Sequence, residues 1–176
     1  MSLATLTNTG RAAIAKAIAS RPLHLAWGSG DVAWDAPETS LPSMVNATAL
    51  ANELGRRTPA TVGFVEPDDA GDIVIPMGYG AGDTVQEARY RQVTPGPTRY
   101  LFVRVNYNFA EASNAIIREM GLYMDTVVKA DLPPGQRYFK PDELDDPGLL
   151  LAAQIITPPI NRSPSVRQSI EFVIAI

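Results

Sequence analysis

The clearest pattern in the chain is a period of two over residues 100–109. There Leu101, Val103, Val105, Tyr107 and Phe109 alternate with Phe102, Arg104, Asn106 and Asn108, which predicts a central antiparallel strand. A second alternation, with Val166, Gln168, Ile170, Phe172, Ile174 and Ile176 on one side, predicts a last strand that ends inside its sheet. Leu23-His24-Leu25-Ala26-Trp27 reads as a half-buried strand stopped by Gly28-Ser29-Gly30-Asp31, whose glycines admit backbone angles other residues avoid. Further strands are expected over residues 57–65, over 72–75 with Pro76 as the stop, and over 115–123 and 149–156.

Helical spacing occurs twice. Ala12, Ala13, Ile14, Ala17 and Ile18 follow a cap at Thr7 or Asn8 and predict an Ala-rich helix ending near Ser20, before Arg21-Pro22. Ala49, Leu50, Ala51 and Leu54 predict a second, short helix over residues 48–54, terminated by Gly55. Pro- and Gly-rich stretches separate these elements. Residues 77–83 read as a flexible loop, residues 84–90 show no decisive period, and residues 132–147 are again loop. Residues 76–98 together read as a long loop, and loops of that length are often functional. The fold expected is α+β: an antiparallel β-sheet or sandwich with an N-terminal Ala-rich helix, one further short helix and long Pro/Gly-rich loops.

Composition narrows the function classes. A chain of 176 residues suits one domain, 1–176, and 45% apolar with 19% charged residues is globular, not disordered. A net charge of −4 argues against a partner of nucleic acid, which demands clustered Lys and Arg. The absence of cysteine makes the fold independent of disulfides and excludes a Cys-ligated zinc. No apolar run reaches the roughly 20 residues of a membrane span, and no signal peptide is evident at the N-terminus, so folding in a cytoplasm and no membrane partner are expected.

Candidate chemistry is sparse. His24 is the single histidine, so a Ser-His-Asp arrangement would have to be built around a residue in mid-strand. Gly28-Ser29-Gly30 lacks the Gly-Lys-Ser/Thr that a phosphate-cradling loop carries. Asp142, Glu143, Asp145 and Asp146 offer calcium-type oxygen ligands and equally the composition of a solvated loop. Asp31, Asp35, Glu53 and Glu66 supply carboxylates, but glycoside hydrolysis depends on a separation that sequence does not show. Trp27, Trp34, Tyr79, Tyr90, Tyr100 and Tyr107 suit sugar stacking or core packing. No catalysis, no metal and no cofactor are expected.

The run Arg118-Glu119-Met120-Gly121-Leu122-Tyr123 stands out because two charges and a glycine interrupt an apolar strand. Strand geometry puts Arg118 and Met120 on one face, with Ile117, Glu119 and Gly121 on the other, so a buried and paired charge is expected. Gly121 marks a bulge or a close backbone approach. Five stretches in order are similar to motifs of one known family: residues 7–18 with Gly10, residues 25–31 with Gly28, Gly30 and Asp31, residues 50–57 with Glu53-Leu54-Gly55-Arg56-Arg57, the Arg118, Glu119, Gly121 and Tyr123 strand, and Tyr138-Phe139-Lys140-Pro141. Together they resemble the tail-collar fibre domain at the N-terminus of bacteriophage tail fibres and baseplate proteins.

That resemblance implies a structural virion protein of a phage tail or tail-like particle, and relative to the simplest members of the family residues 76–98 look like a loop insertion. It implies a baseplate or tail-fibre adaptor subunit that carries the attachment domain alone, docks fibres or neighbouring baseplate proteins, sits at the tail tip or baseplate and is assembled in the cytoplasm of the bacterial host. A homo-oligomer follows, a trimer by analogy with trimeric fibres. The contact positions to test are Ile14 and Ile18 on the helix, Tyr79 in the Gly-rich loop, and Tyr138 and Phe139 in the segment 138–146. The alternatives are a carbohydrate-binding receptor-recognition module and a glycan hydrolase of the tail.

Overall fold

The computed structural model of the protein describes residues 4–36, 40–79 and 85–176. Helix α1 (Asn8–Ala19) begins where the sequence places it: Thr7 stays extended, and its hydroxyl accepts a hydrogen bond from Gly10 N at 3.1 Å. That bond satisfies one of the free amides of the first turn. Ser20 closes the helix through its amide, bonded to Lys16 O at 3.2 Å.

The strands follow as β1 (Leu23–Gly28), β2 (Glu53–Arg57), β3 (Thr61–Pro67), β4 (Ile73–Tyr79), β5 (Val85–Gln92), β6 (Tyr100–Tyr107), β7 (Ile116–Met124), β8 (Val127–Val128), β9 (Tyr138–Phe139), β10 (Leu144–Asp146), β11 (Leu149–Asn161) and β12 (Gln168–Ala175). They form mostly antiparallel sheets in the orders β11-β7-β1-β2-β9 and β12-β6-β3-β5-β4, with β10 and β8 as a small ribbon. Three short 3-10 turns lie at Val32–Asp35, Met44–Asn46 and Pro141–Glu143. The fold is thus predominantly β with one α-helix among the described residues.

The chain forms two compact units. Met1–Arg21, Ala60–Arg104 and Glu171–Ile176 make the first, and Pro22–Pro59 with Val105–Ile170 make the second. In the first, Val65, Ile73 and Phe102 form a buried cluster on which Ile75, Tyr90, Tyr100 and Val173 pack. In the second, Trp27 lies flat on Tyr107 with ring centroids 3.4 Å apart, and Tyr138 meets Tyr107 edge-on at 6.3 Å. The Tyr107 hydroxyl donates to Leu25 O at 2.6 Å, so the largest apolar groups of this core carry a fixed polar anchor.

Several expectations are corrected. Residues 48–54 form no helix: they run irregularly into β2, and Gly55 lies inside that strand against the ring of Tyr138. β1 is buried at all six positions, not half-buried, because both of its faces are covered: Trp27 by Tyr107 on one, and Ala26 by Leu50 and Tyr123 and His24 by Phe139 on the other. β4 continues through Pro76, which an edge strand tolerates since its outer amide is not required by the ladder. The aperiodic residues 84–90 fall largely in β5, where Gln86, Glu87 and Arg89 are exposed and backbone pairing to β3 and β4 defines the strand. Residues 132–147 contain β9 and β10, and β11 reaches five residues past 156. β6 and β7 match their predicted spans closely, with Phe109 beyond the end of β6 and exposed. Of the Gly-rich loop, residues 80–84 lie outside the described residues.

Candidate functional site

The motif residues converge on one structure within the second unit. Glu119 of β7 is fully buried, and its carboxylate accepts from Ala51 N at 2.9 Å and Asn52 N at 2.8 Å. Four residues on, the Tyr123 hydroxyl accepts from Leu50 N at 3.1 Å. Burying a carboxylate costs several kcal/mol if it is unpaired, and two charge-assisted bonds of about 1.5–3 kcal/mol each offset that penalty. The same bonds hold the irregular approach to β2: amides 50, 51 and 52 are tied to β7 side chains, and from Glu53 the backbone pairs with β1, which leaves too short a run for the expected helix.

Arg118 points to the opposite face and grips a different segment. Its guanidinium makes a two-pronged bond to Asp35, at 2.8 and 2.7 Å, and donates to Ser29 O at 3.0 Å. That hydrogen-bonded guanidinium holds the Asp35 carboxyl below the usual carboxylate range. Asp31 sets Asp35 in place by capping the Val32–Asp35 turn, accepting from Ala33 N at 2.9 Å. Both glycines of the turn are required by contact. A side chain at Gly28 would strike the Glu119 carboxylate and Asn52 O, and Gly30, at φ +56°, lies against the Trp34 ring. Gly121 leaves room for Leu150 and Leu50. The expected buried, paired charge is therefore two buried charges, Arg118 paired with Asp35 and Glu119 bonded to backbone amides, and the whole motif is a clamp that fixes the 28–36 and 50–53 segments to β7. Gly10 stands apart, in the first turn of α1 beside Leu6.

Two buried arginines complete the frame, Arg56 from the 50–57 motif and Arg162, which the sequence did not single out. Arg56 lies 3.7 Å above the Tyr123 ring, bonds both Glu53 oxygens, and reaches Thr126 Oγ1 and Pro147 O. The Glu53-x-x-Arg56 spacing was its only sequence signal. Arg162 gathers Val166 O, Asn108 O and Glu111 O, and stands 5.0 Å from the Trp27 ring. Nothing in the sequence marks it.

The residues considered for chemistry are placed in structural roles. His24 is buried in β1 against Phe139, and burial, with Arg56 nearby, lowers its pKa to about 4. Glu143 accepts from Lys140 N and Gln136, and Asp146 from Gly148 N. Among the described residues no group of three or more His, Asp or Glu side chains is placed to hold a metal ion, and no helix is long and apolar enough to cross a membrane.

The candidate contact residues are dispersed. Ile14 is 40% exposed, whereas Ile18 and Phe139 are buried within the chain. Tyr138 is half-buried with its hydroxyl on Leu54 O, and Tyr79 ends β4. Exposed large apolar groups are scattered: Ile14 on α1 and, in the second unit, Val32, Leu41 and Val45 near the 3-10 turns and Leu149 on β11 are among them. The charged residues of the motif are thus spent on internal bonds, while several apolar side chains stand exposed.

Residues 3–176 match the model of a family described as Baseplate wedge 3 tail fiber network component. No match is found among the curated proteins. With a match over nearly its whole length, the chain belongs to that family, a structural component of the phage baseplate and tail fibre network, and its place is in the tail of the virion.

Proposed function

We propose that this baseplate family member is an adaptor: a tail-collar-like attachment domain that fastens fibres or neighbouring baseplate proteins to the tail, and acts by binding without catalysing a reaction. The observation that carries this reading is α1. A helix of about 12 residues is marginal alone and takes its stability from packing an apolar face. α1 buries only Ala15 and Ile18, and leaves Ala13, Ile14 and Ala17 in solvent. Beside it lies a cavity of about 590 Å3 lined by Ala12, Ala13, Pro97 and Tyr100 together with Lys16, Arg99 and Glu66. Apolar groups mixed with charges of both signs suit a protein face.

The proposed assembly takes place in the host cytoplasm and holds several copies, three by analogy with trimeric fibres. Light scattering of the purified chain, alone and mixed with the baseplate and fibre proteins of its own tail, tests this. A discrete oligomer or a co-eluting complex is expected, and Ile14→Asp should weaken it at least tenfold while leaving the urea midpoint unchanged. A monomer that joins none of these proteins would overturn the reading.

A further inference from the structure

Strand β11 ends its sheet: β7 pairs with one side, and among the described residues no strand pairs with the other. An open edge presents a row of unpaired amides and carbonyls, which proteins normally blunt with short strands, prolines, bulges or charges. The other sheet edges here are blunted. β9 has two residues, β4 carries Pro76 with a register shift after it, and β12 carries Glu171, paired to Arg104. β11 is long, and none of residues 149–161 is charged. Its register shifts at Leu150/Ala152 and Ile155/Ile160, the second carrying the prolines at 158 and 159, leave residues 152–155 between them regularly paired and free of either device.

A cavity of about 350 Å3 lies along this strand. Residues 150–153 form one wall, and Met44, Val45 and Ala47 of the second 3-10 turn form another. Val45 is 83% exposed, an apolar side chain with no covering group in the isolated chain.

We propose that the β11 edge receives an extended segment of a neighbouring tail protein, which adds a strand to the sheet and seats aliphatic side chains between β11 and Val45. This deepens, and rests on, the adaptor reading. Two features select the occupant. The free ladder demands an extended backbone, because only a strand matches its alternating donors and acceptors. The uncharged edge demands an uncharged segment, because a charge brought there would lose its hydration and meet no counter-charge.

The test is backbone hydrogen exchange in the isolated chain and in intact purified tails. In the isolated chain, the amides of residues 152–155 that point away from β7 should exchange quickly. In tails they should slow at least tenfold. Gln154, which is exposed, provides the variant: Gln154→Lys places on the edge the charge that natural edges use to refuse a strand. It should fold normally, lose the protection and enter tails poorly, while Gln154→Thr behaves as the parent. Tails in which these amides exchange as fast as in the isolated chain would overturn the proposal, as would full protection in Gln154→Lys. A concentration-dependent dimer of the isolated chain that protects the same amides would put a second copy on the edge and overturn the choice of partner. Tails that lack the chain would overturn both this proposal and the adaptor reading.

Discussion

Glu119 shows what single residues do in this protein. A carboxylate in an apolar strand suggests a catalytic or metal site, yet both of its oxygens accept loop amides. Glu119→Gln keeps the volume but replaces one acceptor by a donor, leaving one amide of the 51–52 pair facing an amide. A loss of about 2–3 kcal/mol is expected, measured as a shift of the urea midpoint. The sequence made a buried charge at 118 or 119 legible through its alternation with apolar neighbours. It did not reveal the partners, because Asp35 and the amides of Ala51 and Asn52 lie some 67 to 83 positions away. His24 carries the second residue-scale prediction. Its folded pKa, near 4, lies below the ordinary 6.5, so between those values the unfolded chain binds a proton that the folded chain refuses. Stability is then complete above pH 6.5 and is lost as the pH falls toward 4, by about 2 kcal/mol between pH 7 and 5. Urea titrations at the two pH values should show this slope in the parent and not in His24→Gln; equal slopes would contradict it.

At the scale of elements, the strands with one clear buried stripe were legible. β6 and β7 carry their burial in their sequence period, and α1 announces itself by Thr7 and its alanines. The failures have a common cause: something outside the segment decides its form. Residues 48–54 have a helical period, but their amides are claimed by β7. β5 has no period because it is held by its neighbours' backbones and by ion pairs such as Arg91 with Glu66. Two glycine substitutions separate the kinds of constraint. Gly28→Ala sets a methyl against the buried Glu119 carboxylate and against Asn52 O, 2.6 Å away, which is backbone and cannot swing aside; a loss of about 2–3 kcal/mol is expected. Gly63→Ala meets nothing nearer than Gln92 Nε2 at 3.9 Å, so it should be neutral or stabilise β3 by up to about 1 kcal/mol. Thermal melts of the two variants check both; a similar loss in each would show that β3 is as tightly enclosed as β1.

For the whole molecule, charge and composition excluded more than they identified, and the ordered motifs pointed to the tail of a phage before any geometry was known. The family match bears out the baseplate and fibre setting. The surfaces themselves were much less legible. Ile18 and Phe139, chosen from apolar pattern, are buried in this chain, while Val45 and the β11 edge drew no notice because an exposed apolar group and an unpaired strand edge are properties of the fold and not of the local sequence. The proposed adaptor role rests on exposed apolar groups such as Ile14 and Val45 and on the open β11 edge, in a chain whose second unit is tied together by Arg56, Arg118, Arg162 and Glu119. A cryo-electron microscopy reconstruction of the intact baseplate tests this most directly. The account predicts this chain within the baseplate, with Ile14 of α1 packed against another protein and a strand from a neighbour on β11. A baseplate in which the chain is present but α1 and β11 both face solvent would contradict it.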